Sequence, residues 1–148
     1  MLALTKKTGY ALVAMGLLSQ LDSGSLVSAR QIASRLDVST SLLMNVLKEL
    51  ASAGYIESVR GARGGYRMAI DTADVSLADL VDLLEGPVRL AECVTEEMGQ
   101  GQCTCQVMAN CPVTDPVHRA QRKLKDFLAS VTLDEIVKPA GALTQNKG

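Results

Sequence analysis

The 148-residue sequence predicts a mostly α-helical fold with a single short β-hairpin. Apolar residues recur at helical spacing in several segments before residue 87 and in one long segment after residue 112. A glycine-rich link, Arg60-Gly-Ala-Arg-Gly-Gly65, separates two runs of β-type residues. Between them, these two patterns give the order helix, turn, helix, hairpin, with a long helix near the C-terminus.

Residues 7–21 form the first expected helix, with Ala14, Leu17, Leu18 and Leu21 along one face and Asp22-Ser-Gly24 as the closing turn. Ser28-Ala-Arg-Gln31 has capping-box spacing, so a second helix begins at Ser28 and carries Ile32, Ala33 and Leu36 inward. Asp37-Val38-Ser39 is a tight turn, and Ser39 is the expected N-cap of a third helix from Thr40 to Ala53. Gly54 stops it, and Leu43, Val46, Leu47 and Leu50 are spaced to face a core. Tyr55–Val59 and Tyr66–Ile70 read as strands, and the glycines between them permit the positive φ of a hairpin. Ser76-Leu-Ala-Asp79 opens a fourth helix that Gly86-Pro87 ends. Pro112 is placed at the start of a long helix to about Val131, followed by a short element from Leu133 to Val137.

The chain therefore divides into a winged helix-turn-helix domain at 1–86, a cysteine-rich loop at 87–111, a long helix and terminal element at 112–137, and a disordered tail at 138–148. The fold class is mostly α, with a two-stranded β wing and a long C-terminal dimerisation helix.

The net charge of −1 conceals an asymmetry. Residues 1–70 carry eight basic and four acidic side chains, and residues 71–148 carry seven and twelve. A basic half joined to an acidic half suits a polyanion-binding part linked to one that avoids it. Aromatic residues are only 3%, too few for a base-stacking RNA platform. Lys6-Lys7 and the apolar run Ala11–Leu18 imitate a secretory signal, but the leucines recur at helical spacing and the run belongs to the first helix. No run is long enough to span a bilayer. The chain reads as cytoplasmic, with no membrane partner and no small-molecule substrate.

In a helix-turn-helix the N-terminal end of the second helix enters the major groove. Here that end presents Ser39, Thr40, Ser41 and Asn45. Hydroxyls can bond phosphates or base edges, and an Asn amide can bond adenine in bidentate fashion. Arg60 and Arg63 on the hairpin suit a narrow minor groove, and Lys6, Lys7, Arg30 and Arg35 suit phosphates. The expected partner is double-stranded operator DNA.

All four cysteines, Cys93, Cys103, Cys105 and Cys111, lie in one polar segment among Gly, Gln, Thr and Glu. Clustered thiols in a reducing compartment point to a soft metal, an iron–sulfur cluster or redox exchange. Zinc usually shows paired C-x₂₋₄-C knuckles, and this loop has only Cys103-Thr-Cys105. A thiol oxidoreductase would want C-x-x-C beside a βαβ unit, and neither occurs, so the chain does not read as an enzyme. From the loop alone, cluster, disulfide switch and structural zinc all stay open.

Leu4-Thr-Lys-Lys-Thr-Gly-Tyr10-Ala11, Gln31-Ile-Ala33, Leu42–Gly54 and Gly61-Ala-Arg-Gly-Gly-Tyr66 together resemble the Rrf2 family of bacterial transcriptional regulators. The resemblance implies a homodimeric winged-helix regulator. In many members an iron–sulfur cluster, between wing domain and long helix, senses iron, redox state or nitric oxide. It places the metal ligands on Cys93, Cys105 and Cys111, the last two at the family's spacing. The family's usual fourth ligands fall on Gly9 and Thr114 here, neither of which supplies one. Cys103 is the replacement candidate and His118 the next, giving a [2Fe–2S] or [4Fe–4S] cluster. On the long helix, Val113, Val117, Ala120, Leu124, Phe127 or Leu128, and Val131 recur with gaps of four and three, the pattern of a dimer seam.

Overall fold

The computed structural model describes residues 4–91, 93–94 and 105–138. Its elements are α1 (Lys6–Ser19), α2 (Ala29–Leu36), α3 (Thr40–Ser52), β1 (Ile56–Val59), β2 (Gly65–Met68), α4 (Leu77–Glu85), α5 (Thr114–Ser130) and α6 (Leu133–Val137). Short 3₁₀ turns at Thr72–Asp74 and Met108–Asn110 complete them. This is the helix-dominated winged helix-turn-helix that the sequence predicts, with a two-stranded antiparallel wing in the register Ile56–Met68 to Val59–Gly65.

The core forms where the helical stripes converge. Leu43, Leu47 and Leu50 of α3, Ile32 of α2, Met15 of α1, Ile56 of β1 and Leu80 of α4 are all buried. Each such side chain contributes roughly 1.5–3 kcal/mol by leaving water. Capping chemistry fixes two of the helix starts. The Ser28 hydroxyl accepts from the Gln31 N–H at 3.2 Å, and the Gln31 amide oxygen accepts from the Ser28 N–H at 3.0 Å. Ser76 and Asp79 repeat this at α4, at 3.2 and 2.9 Å.

Three features differ from expectation. Ser39 occupies the N-cap position of α3, yet its hydroxyl makes no capping bond and pairs with the Ser41 hydroxyl at 2.9 Å. Pro112 does not open α5: Val113 is the N-cap, Thr114 is the first helical residue, and the proline of the first turn is Pro116. A proline there costs no intrahelical bond, because first-turn N–H groups have no partner inside the helix. Finally, α6 belongs to the winged-helix core rather than standing beside α5, with Leu133 and Val137 buried in that core. Leu77 N–H donates to the Val131 carbonyl and Leu133 N–H to the Val75 carbonyl, both at 2.8 Å. The Thr72 hydroxyl donates to Asp134 at 2.7 Å, which pins α6 from its polar side.

Glu85, the last residue of α4, holds the start of α1. Its carboxylate accepts from the Thr5 N–H at 3.1 Å and from the hydroxyls of Thr5 and Thr8. Those hydroxyl bonds, then the Thr5 N–H and the nearby Lys7 charge, lower its pKa below the ordinary 4.5. A depressed folded pKa adds stability above the unfolded value, and that stability is lost as pH falls through the folded one. Glu85→Gln is therefore expected to unfold at a higher pH than wild type in acid titration, with the two curves drawing together below the carboxylate range.

Candidate functional site

The turn between α2 and α3 rests on Asp37, whose left-handed backbone (φ 52°) turns the chain so that the Val38 N–H reaches the Ala33 carbonyl at 3.0 Å. Asp tolerates that conformation better than most residues. The turn projects the start of α3 outward, so Ser39, Thr40, Ser41 and Asn45 are all exposed while Leu43, Val46 and Leu47 point inward. The wing loop Arg60–Gly64 lies on the same chain immediately after α3 and β1. Gly61 adopts φ 123°, and the Gly64 N–H closes the loop on the Gly61 carbonyl at 3.0 Å. Arg60 and Arg63 are exposed on this loop, and Lys6, Arg30 and Arg35 are exposed on α1 and α2.

The wing is fastened by a residue whose role the sequence does not announce. Val27 pairs antiparallel with Tyr66, with Val27 N–H to the Tyr66 carbonyl at 3.1 Å and the reverse bond at 2.8 Å. A single bridging residue leaves no alternating pattern to read. Arg67 and Glu57, paired across the strands, form an ion pair at 2.7 Å that steadies the hairpin.

Lys7 differs from the other candidate phosphate contacts. Its ammonium contacts Glu49 of α3 at 2.7 Å and donates to the Leu84 carbonyl at the end of α4 at 2.9 Å. One side chain thus joins α1, α3 and the last turn before Gly86-Pro87.

The cysteine segment is fastened from both ends. Gln121 is the one buried residue of α5, only 6% exposed. Its amide oxygen accepts from the Leu90 N–H at 2.9 Å, and its amide nitrogen donates to the Val88 carbonyl. The segment after α4 is therefore tied to the long helix by a side chain that mimics a strand partner. Beyond it, the Val94 N–H bonds the Ala91 carbonyl at 3.1 Å in the turn that carries Cys93, and Val94 is buried.

At the other end, Cys111 sits before the N-terminus of α5. The Thr114 hydroxyl and the backbone N–H groups of Val113 and Thr114 face its sulfur and lower its pKa from the ordinary 9.0, against an opposing desolvation. The same hydroxyl lies 3.3 Å from the Cys111 carbonyl, so its single proton is shared between two acceptors. Helix N-terminal N–H groups favour a thiolate.

Cys93, Cys105 and Cys111 are half-buried, as is His118, and Cys103 lies outside the described residues. Among the described residues no three Cys, His, Asp or Glu side chains form a metal-holding group. The donor chemistry suits a soft metal or cluster, since every cysteine of the chain lies in this segment.

The expected seam of α5 is partly exposed. Val113 is 53% exposed and Phe127 62% exposed; Ala120 is exposed; Val117, Leu124, Leu128 and Val131 are half-buried. Among the described residues, no helix is long and apolar enough to cross a membrane.

A helix-turn-helix with an exposed polar recognition helix, a glycine-built basic wing and a long second-half helix defines a winged-helix DNA-binding transcriptional regulator. The Rrf2 family model, which describes an iron-dependent transcriptional regulator, matches residues 4–139, and the chain belongs to that family. It is 30% identical over 135 residues to protein aau3 of Rhizobium meliloti, covering 91% of this chain and 84% of that protein. It is 28% identical over 134 residues to the HTH-type transcriptional regulator NsrR of Bacillus licheniformis, covering 90% and 91% of the two chains. The solved structure of CymR (YrzC), the global cysteine regulator of B. subtilis, superposes with a TM-score of 0.68 at 26% identity, covering 93% of this chain and 97% of that one. The chain is thus a transcriptional regulator, not an enzyme.

Proposed function

We propose that this regulator binds operator DNA as a homodimer and that its affinity is set by an iron–sulfur cluster, [2Fe–2S] or [4Fe–4S], held by Cys93, Cys103, Cys105 and Cys111. The observation that carries this reading is the confinement of every cysteine to one segment that ends at the N-terminus of α5, where Cys111 meets the Thr114 hydroxyl and two backbone N–H groups. The iron-dependent character of the family model supports it. When bound, such a cluster cross-links the thiolates and is sensitive to iron supply, oxidation and nitric oxide.

The remaining steps belong to the chain's own side chains. Gln121 passes the position of the 88–90 segment to α5, and Lys7 passes the position of α4's end to Glu49 on α3. Ligation by the four cysteines would favour one arrangement of these links, and only a difference in DNA affinity between arrangements can change operator occupancy. A dimer formed along Val113, Val117, Ala120, Leu124, Leu128 and Val131 suits a pseudo-palindromic operator. In this reading Ser39, Thr40, Ser41 and Asn45 meet the major groove, Arg60 and Arg63 the minor groove, and Lys6 and Arg30 the phosphates. Lys7 acts by orienting α3. Arg30→Ala is expected to reduce the steepness of the log–log salt dependence of DNA binding by about 0.9 per subunit. An unchanged slope would remove Arg30 from the phosphate contacts.

A second reading, reversible thiol chemistry or structural zinc on the same cysteines, is favoured by the hydrogen-bonded Cys111 thiol. Anaerobic purification followed by assay of iron, zinc and acid-labile sulfide separates the two. Bound iron with matching sulfide is the expected result. Sulfide-free protein whose DNA affinity still follows thiol oxidation would replace the cluster by a thiol switch, and stoichiometric zinc would make the site structural.

A further inference from the structure

The outward stripe of α3, Ser41, Asn45 and Lys48, is polar and exposed, as a DNA-reading helix requires. Two large apolar side chains flank it in full view of solvent. Leu42 is 53% exposed and Met44 37% exposed, although the same helix buries Leu43, Val46, Leu47 and Leu50 completely or nearly so. At 100° per residue, Leu42 and Met44 fall on opposite edges of the stripe. Leu42 also lines a recess of about 390 Å³ whose walls include Lys6, Tyr10, Asn45 and Glu49. Single exposed apolar residues need no explanation. Two that bracket the polar stripe of a recognition helix, next to exposed Lys6 and Lys48, face whatever that helix reads.

We propose that Leu42 and Met44 are specificity-determining residues that contact thymine C5-methyl groups in the major groove. The thymine methyl is the largest apolar group on a major-groove base edge, and apolar side chains are its natural partners. Ser41 and Asn45 then supply hydrogen bonds between two methyl contacts, so α3 selects A·T-rich steps by shape and polarity together. The inference rests on the reading of α3 as the recognition helix.

The test uses the full chain and a duplex selected by it from a random-sequence library. Every thymine of that duplex is replaced by deoxyuridine, which removes the methyl and leaves the hydrogen-bonding edge intact. One methyl withdrawn from water is worth about fourfold in affinity. Wild type is expected to bind the thymine duplex about tenfold or more tighter than the uracil duplex. Leu42→Ala/Met44→Ala is expected to bind both equally, and because both side chains are exposed the variant should fold. Wild type that binds the two duplexes equally overturns the proposal. So does a double variant that keeps the full preference, since the effect would then come from altered DNA flexibility. Asn45→Ala separates the inference from its basis. If it loses sequence selectivity while uracil has no effect, α3 reads DNA without methyl contacts; if neither change matters, the recognition-helix reading falls as well.

Discussion

Replacing Gly64 with alanine is expected to cost about 1–3 kcal/mol of folding stability, the range of an overpacked site that must move to relax, and to weaken operator binding at least tenfold. A Cβ at Gly64 would lie 2.1 Å from the Val59 carbonyl oxygen and 3.0 Å from the Arg60 carbonyl carbon. These are backbone atoms, so no rotamer change relieves the clash. The loop must open, which breaks the Gly64 N–H bond to the Gly61 carbonyl and displaces Arg60 and Arg63 together. Gly65 is constrained too, though less tightly, since its Cβ would meet the Val27 backbone at 2.7 Å and push β2 from its bridge. Gly9→Ala is the matched control. It lies within α1 with nothing inside 4 Å of the added carbon, and alanine is the better helix former by roughly 0.5–1 kcal/mol. Denaturant titration and a DNA-binding isotherm on the two variants check the pair. A Gly64→Ala protein with wild-type midpoint and affinity would show that the wing loop is not held as described.

Cys111→Ser is expected to reduce the visible absorbance of anaerobically purified protein to less than about a tenth of wild type. Operator affinity should then rest at its cluster-free value, shifted by about tenfold or more, the equivalent of roughly 1.4 kcal/mol. Serine keeps a small polar group where Val113 and Thr114 N–H donate, so the start of α5 should persist and helical content should be unchanged. What it loses is the soft, readily ionised sulfur that iron prefers. Thr114→Ala gives a graded version, because it removes the hydroxyl facing that sulfur while leaving the thiol and the two N–H groups. Absorbance spectra and binding isotherms of both variants report the outcome.

Much of the DNA-reading half was legible because its signals are local. The Ser28–Gln31 and Ser76–Asp79 boxes, the stripe Leu43-Val46-Leu47-Leu50 and the glycine-tipped hairpin each depend on residues a few positions apart. Long-range placements were not legible. α6 has five residues, too few for a periodic pattern, and only its packing shows that Leu133 and Val137 complete the core. Lys7 reads in the sequence as a phosphate contact, and its links to Glu49 and the Leu84 carbonyl could not be seen because those groups are distant in sequence. Gln121 carries no motif in the sequence, yet it is the buried link between α5 and the segment leading to Cys93. Pro112 was placed at the start of α5 by its fixed φ, but Pro116 meets the same requirement, and the residues around Cys111 take the turn instead. At the cysteine site the sequence shows four thiols in one segment, but their arrangement depends on how the chain between them folds, and among the described residues no three Cys, His, Asp or Glu side chains form a metal-holding group.

The central claim is that thiolates of residues 93–111 control how tightly the paired wings hold DNA. One anaerobically purified sample can be titrated onto its selected operator before and after treatment with a chelator and oxidant, then reduced so that only the proposed cofactor differs. The account predicts that affinity changes about tenfold or more and returns when iron and sulfide are restored. Identical isotherms in all three states would contradict it.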